Sequence, residues 1–528
     1  MRVIRNIVRD AACKSAIVPV CIGVLLVGGC SQRRNAQNSS PIGTQNGPPV
    51  GAESGSPVQV KWDHPIMVVK STPTLQVVVN PMLRRGSKIH DQAYDAVKQL
   101  QADYVRYVPW LPYPKLAVAE LEPPTKEKTS WDFSLIDPMT EDFMSATAGH
   151  SVILNFSTIP QWMFKTAKPV SYPSDPDQVD WHYTQGTELR DPSMKELGDY
   201  YARLVSWYTR GGFTDELGVF HKSDHHYTIP YWEVLNEVNA EHKTTPEQYT
   251  ERYDAIAGAI LKVDRNMKFM GIALGGSNDP KMFEYFLNHS HHHAGIPLNF
   301  ISYHFYASPS SDQTLDDWQY TFFDQADGFL SRVKYIEAIR MRLSPETKTD
   351  TDELGVILPD DNRTGETSAQ IDVRIPPKYW NLAGGLYAYL YIELAKQGID
   401  VIGESQLVGY PTQFPSVTMI DWKTGKPNAR YWVLKLIKDN FSPGDEMLET
   451  HYRDSAITVQ AFKSGNTKKF LIVNKRDRVS SIRLPADAVG GQVESVDPAT
   501  GEDIGKPVSL ENASLKMHPF AVAVVSFK

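Results

Sequence analysis

From about residue 75 onward, apolar runs of a few residues alternate with longer stretches whose apolar positions recur every three or four residues. The first pattern marks strands and the second amphipathic helices. Strands are predicted at Leu75–Asn80, Tyr104–Val108, Val152–Phe156, Tyr231–Leu235, Lys268–Ile272, Phe300–Tyr303, around Thr349–Glu353, and at Ile399–Gly403. Helical patterns fall between them at Asp91–Gln101, Ser193–Thr209, Pro246–Val263, Asp317–Arg342 and Tyr379–Gln397. Strands separated by helices pair in parallel, because the chain must cross over before each new strand begins. Eight of them over roughly 370 residues fit an α/β fold of the (β/α)8 TIM-barrel type with inserted loops. An open doubly wound sheet is the alternative, but NPMLRRGSK after the first strand is no glycine-rich phosphate loop.

The rhythm changes after Phe441. The runs SAITVQAF, KKFLIVN, SSIRLPA, QVESVDP and AVAVVSF, separated by turn residues, predict an antiparallel β-sandwich over residues 446–528. The other end differs again. Arg2, Arg5, Arg9 and Lys14 precede an apolar run from Ser15 to Gly29, which is shorter than the roughly 20 residues of a spanning helix. A cleaved export signal is expected over residues 1–30. It closes as Val27-Gly28-Gly29-Cys30, which resembles a bacterial lipobox and implies that Cys30 carries a lipid; the alternative is an ordinary secretory signal with a chance cysteine. Residues 31–57 are rich in Ser, Gly, Asn, Gln and Pro and lack the apolar mass to order themselves, so a tether is expected there. The barrel is assigned residues 58–445.

Composition narrows the chemistry. Hydrophobic residues make up 41% and charged residues 22%, a globular balance. The net charge of −8 disfavours nucleic acid, which would need a basic face. The three cysteines are Cys13, Cys21 and Cys30. All lie in the signal region, so a chain processed at Cys30 has no disulfide, thiolate nucleophile or cysteine metal site. No metal and no cofactor are expected, and the membrane is expected to be met only through the lipid.

In a barrel of this type the chemistry sits where strands end. Trp232-Glu233-Val234-Leu235-Asn236-Glu237 ends the fourth strand. Hydrolysis of a glycosidic bond needs one carboxyl group to protonate the leaving oxygen and another to meet the oxocarbenium-like centre. Glu237 suits the first task, and Asn236 before it could hold a sugar hydroxyl. The bland reading is a chance Asn-Glu pair in a loop. Further residues carry a resemblance: Arg106 in YVRYVPW, TIPQWM at residues 158–163 with Trp162, and SYHFY at residues 302–306 with His304 and Tyr306. The chain resembles the clan of (β/α)8 retaining glycosidases with an acid/base Glu after strand four and a nucleophile Glu after strand seven. WYTRGGFTDELGVF…PYWEVLNEVN looks most like glycoside hydrolase family 39, the family of β-xylosidases and α-L-iduronidases.

The resemblance implies a nucleophile at the end of strand seven. Strand counting gives Glu353, in Thr351-Asp352-Glu353-Leu354-Gly355, although KTDTDE is more polar than a buried parallel strand should be. The rival is Glu404, after IDVIG; counting makes it a strand-eight residue and hence a substrate contact. Arg106, Asn236, His304, Tyr306 and Trp162 complete the expected substrate site. Trp110, Trp162 and Trp422 could each stack on a sugar ring or pack in the core. The histidines at 289, 291, 292 and 293 lack helical metal-ligand spacing and read as a solvated loop. Asp360 and Asp361 read as a polar loop. The expected activity is double-displacement hydrolysis of terminal glycosidic bonds in plant- or microbe-derived oligosaccharides, β-xylosidase-like, by an exported bacterial lipoprotein of the cell envelope. The competing reading is a non-catalytic glycan-binding surface lipoprotein.

Overall fold

The computed structural model describes residues 57–528 except 184–185, 277, 360, 362–374 and 502. Cys30, the signal segment, residues 31–56 and Asp360 lie outside the described residues. Eight parallel strands close into a barrel: β1 (Thr72–Val78), β2 (Val105–Val108), β3 (Val152–Leu154), β4 (Tyr231–Glu233), β5 (Lys268–Leu274), β6 (Phe300–Ala307), β7 (Lys348–Val356) and β8 (Val401–Glu404). Closure comes from β8 pairing in parallel with β1, Val401 opposite Thr72 and Glu404 opposite Leu75.

A helix follows every strand: α1 (His90–Leu100), α2 (Asp137–Ala146), α3 (Lys195–Arg210), α4 (Pro246–Val263), α5 (Pro280–Phe286), α6 (Leu315–Leu343), α7 (Pro377–Lys396) and α8 (Ala429–Asn440). Helix α4 illustrates why. Its start is fixed by a capping box, Thr245 accepting from the Gln248 N–H while Gln248 accepts from the Thr245 N–H. Tyr249, Tyr253, Ile256, Ala257 and Ile260 are buried at helical spacing, one apolar stripe turned to the barrel. Each isoleucine in that stripe contributes about 1.5–3 kcal/mol on burial. Periodicity predicts five of these helices and not α2, α5 and α8, which have 10, 7 and 12 residues. Among the described residues no helix is long and apolar enough to cross a membrane.

The C-terminal region is a β-sandwich, and it recruits a strand from the other end of the chain. Gln59–Val68 pairs antiparallel with Glu446–His451 at the edge of a seven-stranded sheet. The boundary expected at residue 58 is therefore corrected: residues 59–68 belong to the sandwich and not to the barrel. The physical reason is edge pairing, which satisfies backbone groups that a lone sheet edge would leave open. One face of this sheet packs against the Ser480–Arg483/Ser514–Met517 pair through Phe470, Ile472, Ile482 and Val525. Leu471, Val473 and Val524 on the other face join the main core beneath α7 and α8.

Inside the barrel the lining is polar. Thr74 and Gln76 on β1, Arg106 on β2, Glu233 on β4, Ser302 and His304 on β6, and Asp350 and Asp352 on β7 are all buried. This explains the polar character of KTDTDE: the strand faces an ion network, not an apolar core.

Candidate active site

Strand register sets the site. Gln76 lies opposite Arg106 across β1 and β2, and His304 lies opposite Glu353 across β6 and β7. Arg106 is the hub. Its Nη1 donates to Glu353 Oε1 at 2.6 Å and to Gln76 Oε1 at 2.6 Å. Its Nη2 donates to Asn236 Oδ1 at 2.8 Å, and its Nε bonds Glu233 and lies 3.1 Å from Asp352 Oδ2. Only a planar guanidinium with five donors can reach all of these at once.

The same guanidinium touches both Asp352 and Glu353, although neighbours on a regular strand face opposite sides. A bulge resolves the conflict. The register of β7 slips between Asp350 and Glu353 against β6, and between Thr351 and Leu354 against β8. Both carboxylates can then turn inward. Gly403 on β8 makes room, because a Cβ there would sit 2.9 Å from the Asp352 carbonyl oxygen.

Glu353 has partners on both oxygens. Arg106 holds Oε1, and the Tyr306 hydroxyl donates to Oε2 at 2.7 Å. The Tyr306 oxygen also lies 2.6 Å from Ser405 Oγ, which accepts from Gln76 Nε2 at 2.7 Å. One phenolic proton can serve one acceptor. With it on Glu353, Ser405 donates to the phenol oxygen, and the ring Arg106–Gln76–Ser405–Tyr306–Glu353 closes. Burial, followed by the charge of Glu353, pushes the Tyr306 phenol well above its usual range, so it remains a donor.

Glu237 enters from the turn after β4. Leu235 and Glu237 have φ of 65° and 36°, a left-handed conformation that costs non-glycine residues energy and recurs at functional sites. The turn is tied down by Glu237 N–H donating to Ala273 O at 2.9 Å. A Cβ at residue 275 would overlap the Glu237 carboxyl, so Gly275 leaves the space that side chain fills. His304 stands between the acids, Nδ1 at 3.1 Å from Glu237 Oε1 and 3.4 Å from Glu353 Oε2. One ligand atom from each of Glu237, His304 and Glu353 lies within 4.8 Å of the others. Three such atoms could contact a cation, but the guanidinium of Arg106 already faces Glu353. Burial alone would lower the imidazole pKa, yet the carboxylates of Glu353 and Asp352 raise it well above the usual value. His304 therefore carries the positive charge itself.

Sequence reasoning missed a third carboxyl at the site, Glu241. Its Oε1 accepts from Trp110 Nε1 at 2.7 Å and from Asn236 Nδ2 at 2.8 Å, so Asn236 is held at both ends. Burial, then the neighbouring Glu237, pushes the Glu241 carboxyl up to about 8. Trp110 also stands in a cluster with Trp181 and Phe414, at ring separations of 5.3 and 6.1 Å; the three come from the loops after β2, β3 and β8. Gln76, Glu233, Asp352 and Ser405 were missed as well. The available signal was charge inside otherwise apolar strands, which in a buried setting implies a partner.

Two expected substrate contacts are corrected. Glu404 is fully buried, its Oε1 accepting from Arg430 Nε at 2.9 Å. Arg430 begins α8, where Asn428 caps the helix, so the pair bolts β8 to its own helix. Trp162 is buried too: its Nε1 donates to Glu120 O at 2.8 Å and Arg190 covers the ring at 4.4 Å. Trp422 is also buried. The four-histidine stretch is partly structural: His292 is fixed by Asp254 at 2.7 Å, while His293 is exposed.

No family model and no curated protein matches the sequence. Among solved structures the chain is similar to a family 51 arabinofuranosidase from Xanthomonas axonopodis pv. citri, at 12% identity and a TM-score of 0.60 over 89% of this chain and 99% of that one. It is also similar to an α-L-arabinofuranosidase from Thermotoga maritima, at 14% identity and a TM-score of 0.57 over 90% and 99%. A family 30 endoxylanase from Clostridium papyrosolvens aligns at 13% identity and a TM-score of 0.54 over 90% and 100%. At these identities the likeness establishes a (β/α)8 barrel carrying a C-terminal β-sandwich.

Proposed function

We propose that the protein is a retaining glycoside hydrolase in which Glu353 is the nucleophile and Glu237 the acid/base. The observation that carries this reading is the carboxyl oxygens of Glu237 and Glu353 within 4.8 Å of each other across the barrel mouth. Retention requires carboxyl groups about 5–5.5 Å apart, whereas inversion needs about 6.5–9.5 Å to admit a water. In the first step Glu237 gives its proton to the glycosidic oxygen while a Glu353 oxygen bonds to the anomeric carbon and the leaving group departs. In the second, Glu237 takes a proton from water, the water oxygen attacks the anomeric carbon, and the bond to Glu353 breaks. Arg106, Tyr306 and His304 hold Glu353 aimed for the first step.

A terminal pentoside is the proposed substrate, β-xylosidase-like, consistent with an arabinofuranosidase and an endoxylanase among the structural neighbours. The reading includes export and a lipid on Cys30. Assignment to clan A rests on the order of site residues around the barrel, and to family 39 on the sequence around Glu237. The test is a panel of aryl glycosides with the Glu237→Ala variant. That variant should retain activity on substrates with very acidic leaving groups and regain deglycosylation with added azide. Equal loss on every leaving group, with no response to azide, would exclude Glu237 as the acid/base.

A further inference from the structure

Asp350 and Asp352 are two carboxyls on one strand of the barrel, and the chemistry above uses neither. Both are fully enclosed. They differ in what surrounds them. Asp352 Oδ2 lies 3.1 Å from Arg106 Nε, and its Oδ1 lies 3.5 Å from His304 Nε2. None of the four carboxyl oxygens makes a hydrogen bond; Asp352 meets Arg106 and His304 as ion pairs, and Asp350 meets no such partner among the described residues. Burial, then the charge of Asp352, pushes the Asp350 carboxyl well above its ordinary range, so it is neutral. Burial would raise Asp352 too, but Arg106 and His304 outweigh it and hold that carboxyl below its ordinary value.

We propose that Asp352 is a positioning residue: from beneath the His304 ring it keeps a positively charged imidazole standing between Glu237 and Glu353. This rests on reading those two glutamates as the reacting pair. His304 reaches upward through Nδ1 to both of them and downward through Nε2 to Asp352. Nδ1 is within hydrogen-bond distance of Glu237, whereas Nε2 makes no hydrogen bond and faces Asp352 at 3.5 Å, so what Asp352 meets is the charge of the ring and not a donated proton. The charge matters because the two glutamates change state in turn. When Glu353 becomes an ester it loses its charge, and a fixed cation beside Glu237 then favours the carboxylate needed to deprotonate water. The charged and titratable groups facing the imidazole are Glu237 from the β4 turn and Asp350, Asp352 and Glu353 from β7. Arg106 from β2 and Glu233 from β4 adjoin them, Glu233 through Arg106 and Ser302. Among the described residues, Asp352 is the carboxylate that touches the ring without taking part in the reaction.

The experiment is a pH titration of the His304 imidazole by ¹⁵N NMR on histidine-labelled enzyme, its signal assigned by loss in His304→Gln. In the wild type the ring should remain charged at neutral pH and well beyond. In Asp352→Asn its titration should move down by about one to three pH units, the range for losing an opposite charge this close. The alkaline loss of kcat, for a substrate whose second step is limiting, should move down with it. Asp350→Asn removes a carboxyl that is already neutral and should leave the His304 titration in place. A neutral His304 at pH 7 in the wild type overturns the proposal even if Asp352→Asn does not fold. So does an unmoved titration in Asp352→Asn, or an equal shift in Asp350→Asn. If wild-type enzyme proves idle on every glycoside, the functional reading fails while the titration still answers for Asp352.

Discussion

Tyr306→Phe removes one hydroxyl and leaves the ring in place, so it isolates a single link in the network that holds Glu353. The lost bond is 2.7 Å long and runs from a phenol to a carboxylate oxygen in a partly buried site. Bonds to charged groups contribute about 1.5–3 kcal/mol. At 1.36 kcal/mol per factor of ten, its loss should lower kcat/KM by about ten- to a hundredfold, because the bond aims the nucleophile. Ser405→Ala works one link further out: it takes the Ser405 hydroxyl from the phenol but leaves the phenol on Glu353. Its loss should be smaller. The assay is kcat/KM for an aryl glycoside, with far-ultraviolet circular dichroism to check folding. An unchanged kcat/KM in Tyr306→Phe would mean the phenol does not hold the nucleophile. A larger loss in Ser405→Ala would mean the hydrogen bonds run the other way.

Gly275→Ala puts a methyl group where the Glu237 carboxyl lies; kcat should fall most for poor leaving groups while the melting temperature changes little, and equal loss on all leaving groups would contradict this. Glu120 is buried beneath Trp162, and burial, then Glu216, pushes its carboxyl from 4.5 up to about 8. Folding therefore retains a proton between those pH values: its contribution is complete below about pH 4.5 and is lost as pH rises towards 8, by at most about 1.4 kcal/mol per pH unit. Urea denaturation across pH 5–8 should show that decline, and Glu120→Gln should flatten it; an unchanged slope would refute the assignment. Feeding cells a fatty-acid analogue should label the wild type and spare Cys30→Ser, and equal labelling of both would remove the lipid anchor from the account.

The barrel was legible because its signal is repetitive: seven apolar runs and one polar one, each followed by helical spacing or a long loop. The place of Glu237 beside His304 at the end of β4 was legible because it follows a strand that ends in a polar pair, Asn236-Glu237. Glu353 depended on counting, since the polarity of KTDTDE argued against a strand. That polarity reflects a barrel interior in which Asp350 and Asp352 face Arg106, Glu233 and His304, a pairing that sequence spacing does not reveal. Glu404 was misread for a related reason. A carboxylate at a strand end looks open until its partner is known, and Arg430 lies 26 residues on. The bulge at Asp352 and the edge pairing of Gln59–Val68 with Glu446–His451 depend on non-local register, which periodicity does not encode.

The central claim is that Glu353 forms the covalent bond to the sugar. Incubation with a 2-fluoro glycoside slows the second step and lets the glycosyl-enzyme accumulate, and tryptic digestion with mass spectrometry then locates it. Cleavage after Lys348 and Arg363 isolates Glu353 in residues 349–363, while Glu404 falls in residues 397–423 and Glu237 in residues 223–243. The account predicts the label on residues 349–363, at Glu353. A label on either other peptide, or no label together with a product of inverted anomeric configuration, would contradict it.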